Sequence, residues 1–307
     1  MRIVFMGTPE FAVASLRRLA EDGHEIAGVF TQPDKPGNRN KLTAPPVKEY
    51  AMSMKLPVFQ PERLRGEEAV SLLRSLRPEL TVVAAYGQIL PEDVLSVPAL
   101  GSINVHASLL PRYRGAAPIN WVILNGETVT GVTIMHMAKK LDAGDIISTR
   151  KTEIAPEEDA QALYSRLARM GAELLSETIP AVESGAAPRI PQDDAQSTYA
   201  PMLSRELSPV DWSKPAGAVV NQVRGLVPWP CAAMLLDGKS VKLWRAEAGC
   251  ATDDPAGMAR AGRRGIVVSC GDGRSVIITE LQPAGGKRMA ASAWLNGKRV
   301  APGAILS

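Results

Sequence analysis

The chain has 307 residues, is 45% hydrophobic and 22% charged, and carries a formal net charge of +3. That is a globular balance, which excludes disordered and fibrous classes and fits two domains. Three widely spaced cysteines (Cys231, Cys250, Cys270) make neither a disulfide framework nor a zinc site. No apolar run reaches the roughly 20 residues needed to cross a bilayer, and the opening is too short before its glycine to be a signal peptide. The expectation is a cytoplasmic protein with no membrane partner. Its charge is unevenly placed. Residues 1–205 carry 22 Lys+Arg against 24 Asp+Glu, whereas residues 206–307 carry 13 against 8, an excess suited to meeting a polyanion.

In chain order, residues 2–6 form an apolar run ending at Gly7-Thr8-Pro9, and Phe11, Ala12, Leu16, Leu19 and Ala20 follow at helical spacing until Gly23. Residues 26–30 are again apolar, so the opening predicts strand, helix, strand. The first turn has neither GxGxxG nor a Walker lysine, which disfavours dinucleotide and P-loop enzymes. Residues 72–76 have helical character and 80–85 form an unbroken apolar run, as expected of a strand buried on both faces. Ser102–His106 and 132–137 predict further strands, and 157–182 a long helix. Alternating strands and helices indicate an α/β domain with a largely parallel sheet.

The texture changes after residue 187. Pro188-Arg189-Ile190-Pro191-Gln192 reads as the start of a linker over 188–205, separating residues 1–187 from a last domain over 206–307. In that domain, Ala232–Leu236 and 241–244 flank Asp237-Gly238, and Ile266–Ser269 and 276–281 flank Gly271-Asp272-Gly273. Asp-Gly between apolar runs predicts hairpins, hence a small all-β domain of the kind that often binds oligonucleotides.

Within Ser102–His106, residues two apart share a face, so Ile103 and Val105 enter one packed layer while Asn104 and His106 stand together on the other. A carboxamide beside an imidazole at a sheet's ligand-binding edge suits a carbonyl becoming an oxyanion while a leaving nitrogen needs a proton. A carboxylate would favour the charged imidazole. Asp142 and Asp145 are candidates for it, in a loop at the carboxyl end of the 132–137 strand, on the expected side of His106. Spacing alone does not choose between them. His24, after a helix-terminating glycine, reads as exposed, and His136, inside an apolar strand, as structural.

These residues also carry a resemblance. The run from Asn104 to Gly115 (Asn-Val-His-Ala-Ser-Leu-Leu-Pro-Arg-Tyr-Arg-Gly) resembles the signature of formyltransferases that use 10-formyltetrahydrofolate. Gly131-Val132-Thr133-Ile134-Met135 with Asp142-Ala143-Gly144-Asp145 resembles that family's second signature. Thr8-Pro9-Glu10, Thr31-Gln32-Pro33-Asp34-Lys35-Pro36, Pro45-Pro46-Val47-Lys48, Asp211-Trp212-Ser213 and Pro228-Trp229-Pro230 resemble the branch that formylates methionyl-initiator tRNA.

The resemblance implies a Rossmann-like N-terminal formyltransferase domain and a C-terminal OB-like barrel. It implies catalysis by Asn104, His106 and Asp142, without metal. Ser108, Leu109, Leu110 and Pro111 become the loop nearest the folate, and the backbone of Tyr86, Gly87, Gln88, Ile89 and Leu90 lines the pterin pocket. Lys35, Arg39, Lys41 and Lys48 become tRNA contacts, acting in a monomer. The loop departs from the family's Gly-Arg-Gly by reading Gly37-Asn38-Arg39-Asn40-Lys41-Leu42, about one residue shorter, and losing a glycine stiffens it. An amino-sugar N-formyltransferase shares Tyr113-Arg114-Gly115 and Asn125-Gly126-Glu127, but has no use for the basic loop. A non-catalytic RNA-binding protein on the same scaffold is the rival from another class.

Overall fold

The opening run forms β1 (Arg2–Gly7), buried beyond its first residue, and leads through α1 (Glu10–Glu21) to β2 (Glu25–Phe30). This is the strand, helix, strand order expected. α1 buries Phe11, Ala12, Leu16 and Leu19 on one stripe, the spacing that packs a helix against a sheet. In the computed structural model, residues 1–36, 42–236, 238–297 and 304–305 are described, so Arg39 and Lys41 lie outside the described residues. Two short strands, β3 (Lys35–Pro36) and β4 (Leu42–Thr43), pair antiparallel. The chain then runs through α2 (Pro46–Ser53), β5 (Val58–Phe59), α3 (Gly66–Leu76), β6 (Leu80–Ala84), α4 (Glu92–Leu95) and β7 (Ser102–His106). β8 (Arg114–Gly115), α5 (Pro118–Leu124), β9 (Val129–His136), β10 (Ile146–Glu153) and the long α6 (Ala160–Glu183) follow. No described helix is long and apolar enough to cross a membrane.

The first sheet has the order β10-β9-β7-β6-β1-β2-β5. From β7 to β5 its strands are parallel, as expected. β9 departs from that expectation, lying antiparallel to β7 with Asn104 opposite Met135 and His106 opposite Thr133. Its run is buried in all but the first residue, and a run buried throughout reads the same in either direction, so hydrophobicity carried no signal of orientation. α6 packs closely over this region. A Cβ added at Gly171 would sit 2.9 Å from a Val105 methyl, and Tyr164 accepts a 2.7 Å hydrogen bond from the Phe11 amide at the start of α1.

The chain divides into two units, one of Met1–Gly115, Thr130–Thr152 and Tyr164–Ala200, the other of Ala116–Val129, Glu153–Leu163 and Pro201–Ser307. The segment read as a linker therefore runs through the first unit as far as Ala200, where β11 (Tyr199–Ala200) pairs parallel with β8. In the second unit, α7 (Ala216–Gly225) precedes β12 (Ala232–Leu236), β13 (Lys239–Ala251), β14 (Met258–Ala261), β15 (Ile266–Ser269) and β16 (Arg274–Pro283). β17 (Met289–Ala290), α8 (Ala291–Leu295) and β18 (Ala304–Ile305) complete it.

Neighbouring strands run antiparallel in the order β12-β13-β16-β15-β14-β18. Both expected hairpins are present. Register shifts between β13 and β16 bend the sheet as bulges do, and it curls into a half-barrel. Val219 and Val223 of α7 share its core with Leu243, Val268 and Ile278, and Trp212 of the Asp-Trp-Ser motif is a buried member of that core. Leu243 is fully buried there. Leu243→Ala is expected to destabilise this unit by about 2–5 kcal/mol, read as a lowered denaturation midpoint.

Candidate active site

Because Val105 faces α6 at Gly171, strand alternation turns Asn104 and His106 to the opposite face, as the spacing predicted. Both are more than nine-tenths buried. The His106 Nε2 lies 2.9 Å from the carbonyl oxygen of Tyr113. A carbonyl only accepts, so this nitrogen carries the proton. Nδ1 then faces Asp142, 3.8 Å from its Oδ2. That distance exceeds a direct hydrogen bond. Asp142 Oδ2 also accepts a 2.8 Å bond from the Gly115 amide. The Asn104 carboxamide has no hydrogen-bond partner among the described residues, so its N–H groups are available to a ligand.

Asp142 reaches this position by a route different from the one the sequence suggested. Since β9 runs antiparallel to β7, its carboxyl end, His136, lies beside Ile103, three residues back along β7 from His106. The following loop doubles back. The His136 amide donates to the Asp145 carbonyl at 2.9 Å, and Gly144 lies so close to the strand end that a Cβ would sit 1.8 Å from the His136 oxygen. This reversal brings Asp142, rather than Asp145, to the imidazole. Asp145 instead faces Arg189 at 3.7 Å. Asp142 itself has φ +49°, in the left-handed region that Asp tolerates better than most residues.

Residues 108–111 follow the carboxyl end of β7. Ser108 Oγ donates to the Arg112 carbonyl at 2.7 Å. Thr133, opposite His106 on β9, donates to the Ser108 carbonyl at 2.7 Å and accepts from the Leu110 amide at 3.2 Å. Leu109 packs over Gly131, where an added Cβ would meet it at 2.6 Å. β6 is the parallel neighbour of β7, so residues 86–90 emerge at the same sheet edge as 108–111. The Tyr86 carbonyl accepts from Thr8 Oγ1 at 2.7 Å and from Gln32 Nε2 at 3.3 Å. Its ring belongs to the core, with a hydroxyl that is unpartnered among the described residues and that burial pushes up to about 12. Gln88 spends its carboxamide on the Leu64 amide and the Pro61 carbonyl. Leu90 is buried and Ile89 exposed.

Lys48 is ion-paired with both oxygens of Asp34 at 2.8 Å. Hydrogen bonds from Gln60 and then Lys48 hold that carboxyl below its ordinary range. Lys35 is exposed on β3. His24 is half-buried rather than exposed, because its ring lies against the amino terminus, 3.4 Å from its nitrogen. His136 is buried with Nε2 unpartnered among the described residues, and burial lowers its pKa. Sequence reasoning gave no role to Tyr113, whose carbonyl meets His106 Nε2, or to Thr133, which bonds the backbone of residues 108 and 110. Tyr113 acts through a carbonyl, which every residue has, and no side-chain pattern marks it.

Comparison with known proteins bears on what this arrangement does. A family described as formyl transferase matches residues 1–179, and the formyl transferase C-terminal domain matches residues 202–299. A methionyl-tRNA formyltransferase of Geobacter sulfurreducens is 50% identical over 100% of this chain and 96% of its own length. A protein of the same name from Bacillus subtilis is 47% identical over 99% of this chain and 97% of its own. The fold is similar to that of an N-formyltransferase from Helicobacter canadensis, solved with folinic acid and dTDP-3-aminofucose, with TM-score 0.66, 18% identity and coverage of 90% of this chain and 98% of that one. HypX from Aquifex aeolicus, solved with tetrahydrofolic acid, matches with TM-score 0.65 and 20% identity over 96% of this chain and 47% of its own.

Proposed function

The chain belongs to the formyltransferase family, and we propose that Asn104, His106 and Asp142 carry its chemistry, with 10-formyltetrahydrofolate as the formyl donor. The enzyme transfers a formyl group to methionyl-initiator tRNA, forming N-formylmethionyl-tRNA for translation initiation. The observation that carries the site assignment is the buried, uncommitted Asn104 carboxamide next to the His106–Asp142 pair at 3.8 Å.

The neutral α-amine of methionine attacks the formyl carbon, the new N–C bond forms, and the carbonyl electrons move to oxygen. Asn104 N–H donates to that oxyanion without first giving up a protein partner, and a charged His106 adds its field. The proton lost by the amine passes through a water to Asp142. As the C–N10 bond breaks, N10 takes the Nδ1 proton of the charged His106, and the proton gained by Asp142 then returns to Nδ1. Holding both substrates together supplies much of the remaining rate.

Residues 108–111 and the backbone of 86–90 share the edge where the folate would lie, the latter offering peptide groups to the pterin. The basic excess of residues 206–307 would hold tRNA phosphates, together with Lys35, Arg39 and Lys41. Lys48 belongs to the same set of tRNA contacts, and its ion pair with Asp34 would have to be exchanged for a phosphate.

The test is formyl transfer from 10-formyltetrahydrofolate offered in parallel to methionyl-initiator tRNA, uncharged tRNA and a UDP-linked amino sugar. Formylmethionyl-tRNA is the expected product, and the only one. Formylated sugar would overturn the acceptor, and no product with tRNA still bound would leave a binding protein.

A further inference from the structure

We infer that Gln192 is a positioning residue for Asp142, and that residues 190–200 act as a strap setting the geometry of both ionisable groups of the site. This rests on the catalytic reading given above.

Gln192 Nε2 donates to the carbonyl of Asp142 at 2.9 Å and to that of Gly144 at 2.7 Å. Its Oε1 accepts from Arg114 Nε at 3.1 Å and Nη2 at 2.8 Å. Both amide protons are thus spent on the loop that carries Asp142, and the oxygen on a guanidinium that is almost wholly buried. Among side chains of this length, only a carboxamide offers two donors and an acceptor in that arrangement. Asp142 needs such a restraint, because its backbone sits in a sparsely populated region that persists only when the surroundings over-determine it.

The rest of the strap reaches the other half of the site. Its start is bridged to β10 through Ile146 and Ile190. Asp194 pairs with Arg114 at 2.8 Å and with Lys140 of the Asp142 loop. Thr198 Oγ1 accepts from the Tyr113 amide at 2.8 Å, and its carbonyl accepts from Arg114 at 2.9 Å. Tyr113 supplies the carbonyl that fixes His106 Nε2, and Gly115, paired with Ala200, supplies the amide that fixes Asp142 Oδ2. The strap is therefore one bond away from each group that holds His106 and Asp142.

Gln192→Glu keeps the shape and the oxygen facing Arg114 but replaces both donors to the loop by an oxygen that repels the two carbonyls, whereas Gln192→Ala also strips the buried guanidinium. Two readouts decide. In steady-state kinetics, Gln192→Glu is expected to lower kcat about 10- to 100-fold, the scale of a misplaced catalytic group, with KM for donor and tRNA within about twofold. In amide exchange, the Gly115 N–H is expected to exchange at least about tenfold faster while Val105 in the sheet keeps its protection. Unchanged exchange at Gly115 would overturn the proposal whatever happens to turnover. So would equal acceleration at Val105, which marks general loosening, and so would unchanged kcat. A wild-type protein that forms no formyl product would instead sink the assigned activity, and the Gly115 exchange rate would still decide whether Gln192 holds the loop.

Discussion

Asn104→Ala is expected to lower kcat by about 10²–10³, the cost of one missing oxyanion donor, while the protein folds normally. The two halves of that expectation have separate grounds. The carboxamide has no hydrogen-bond partner among the described residues, so truncating it orphans no buried donor or acceptor, and the thermal midpoint should stay near wild type. β7 keeps its backbone pairing to β6 and β9 and its Val105 contact with α6. KM values should move little, because the interaction forms only as charge develops on the formyl oxygen. Steady-state kinetics with both substrates, alongside a melting curve, check this. Near-normal turnover from a folded Asn104→Ala protein would remove the oxyanion role.

Gly144→Ala is expected to lose about 100-fold in kcat through displacement of Asp142. An added Cβ would lie 1.8 Å from the His136 carbonyl oxygen and 2.9 Å from its carbon, both backbone atoms of a strand paired to β7. Neither can swing aside like a side-chain tip, so the loop must lift, and it carries Asp142 two residues away. A shift of about 1 Å in a positioned group is enough to cost that factor. Gly217→Ala in α7 is the control, since nothing lies within 4 Å of its Cβ position. There the change should leave kcat alone and add a little stability, as Ala does over Gly in a helix. Equal kcat for Gly144→Ala and wild type would show that the loop reversal does not place the carboxylate.

The amino-acid sequence by itself determined everything that depends on near neighbours along the chain. The opening strand, helix and strand follow from apolar spacing in residues 2–30. The shared face of Asn104 and His106 follows from the period-two geometry of a strand, and the two C-terminal hairpins from Asp-Gly turns between apolar runs. The family was legible for the same reason, because its signatures are local.

Tertiary structure alone decided the rest. The direction of β9 was invisible because a strand buried on both faces has the same hydrophobic pattern either way. The sequence placed Asp142 and Asp145 in one loop, but only the reversal at Gly144 and the clamp from Gln192, 50 residues on, bring one of them to His106. Tyr113 holds His106 through a carbonyl common to every residue, and the ion pair of Lys48 with Asp34 joins residues 14 apart in sequence. Local periodicity records which way a side chain points. The partner it meets is settled by segments distant in sequence, whose meeting is a property of the folded chain.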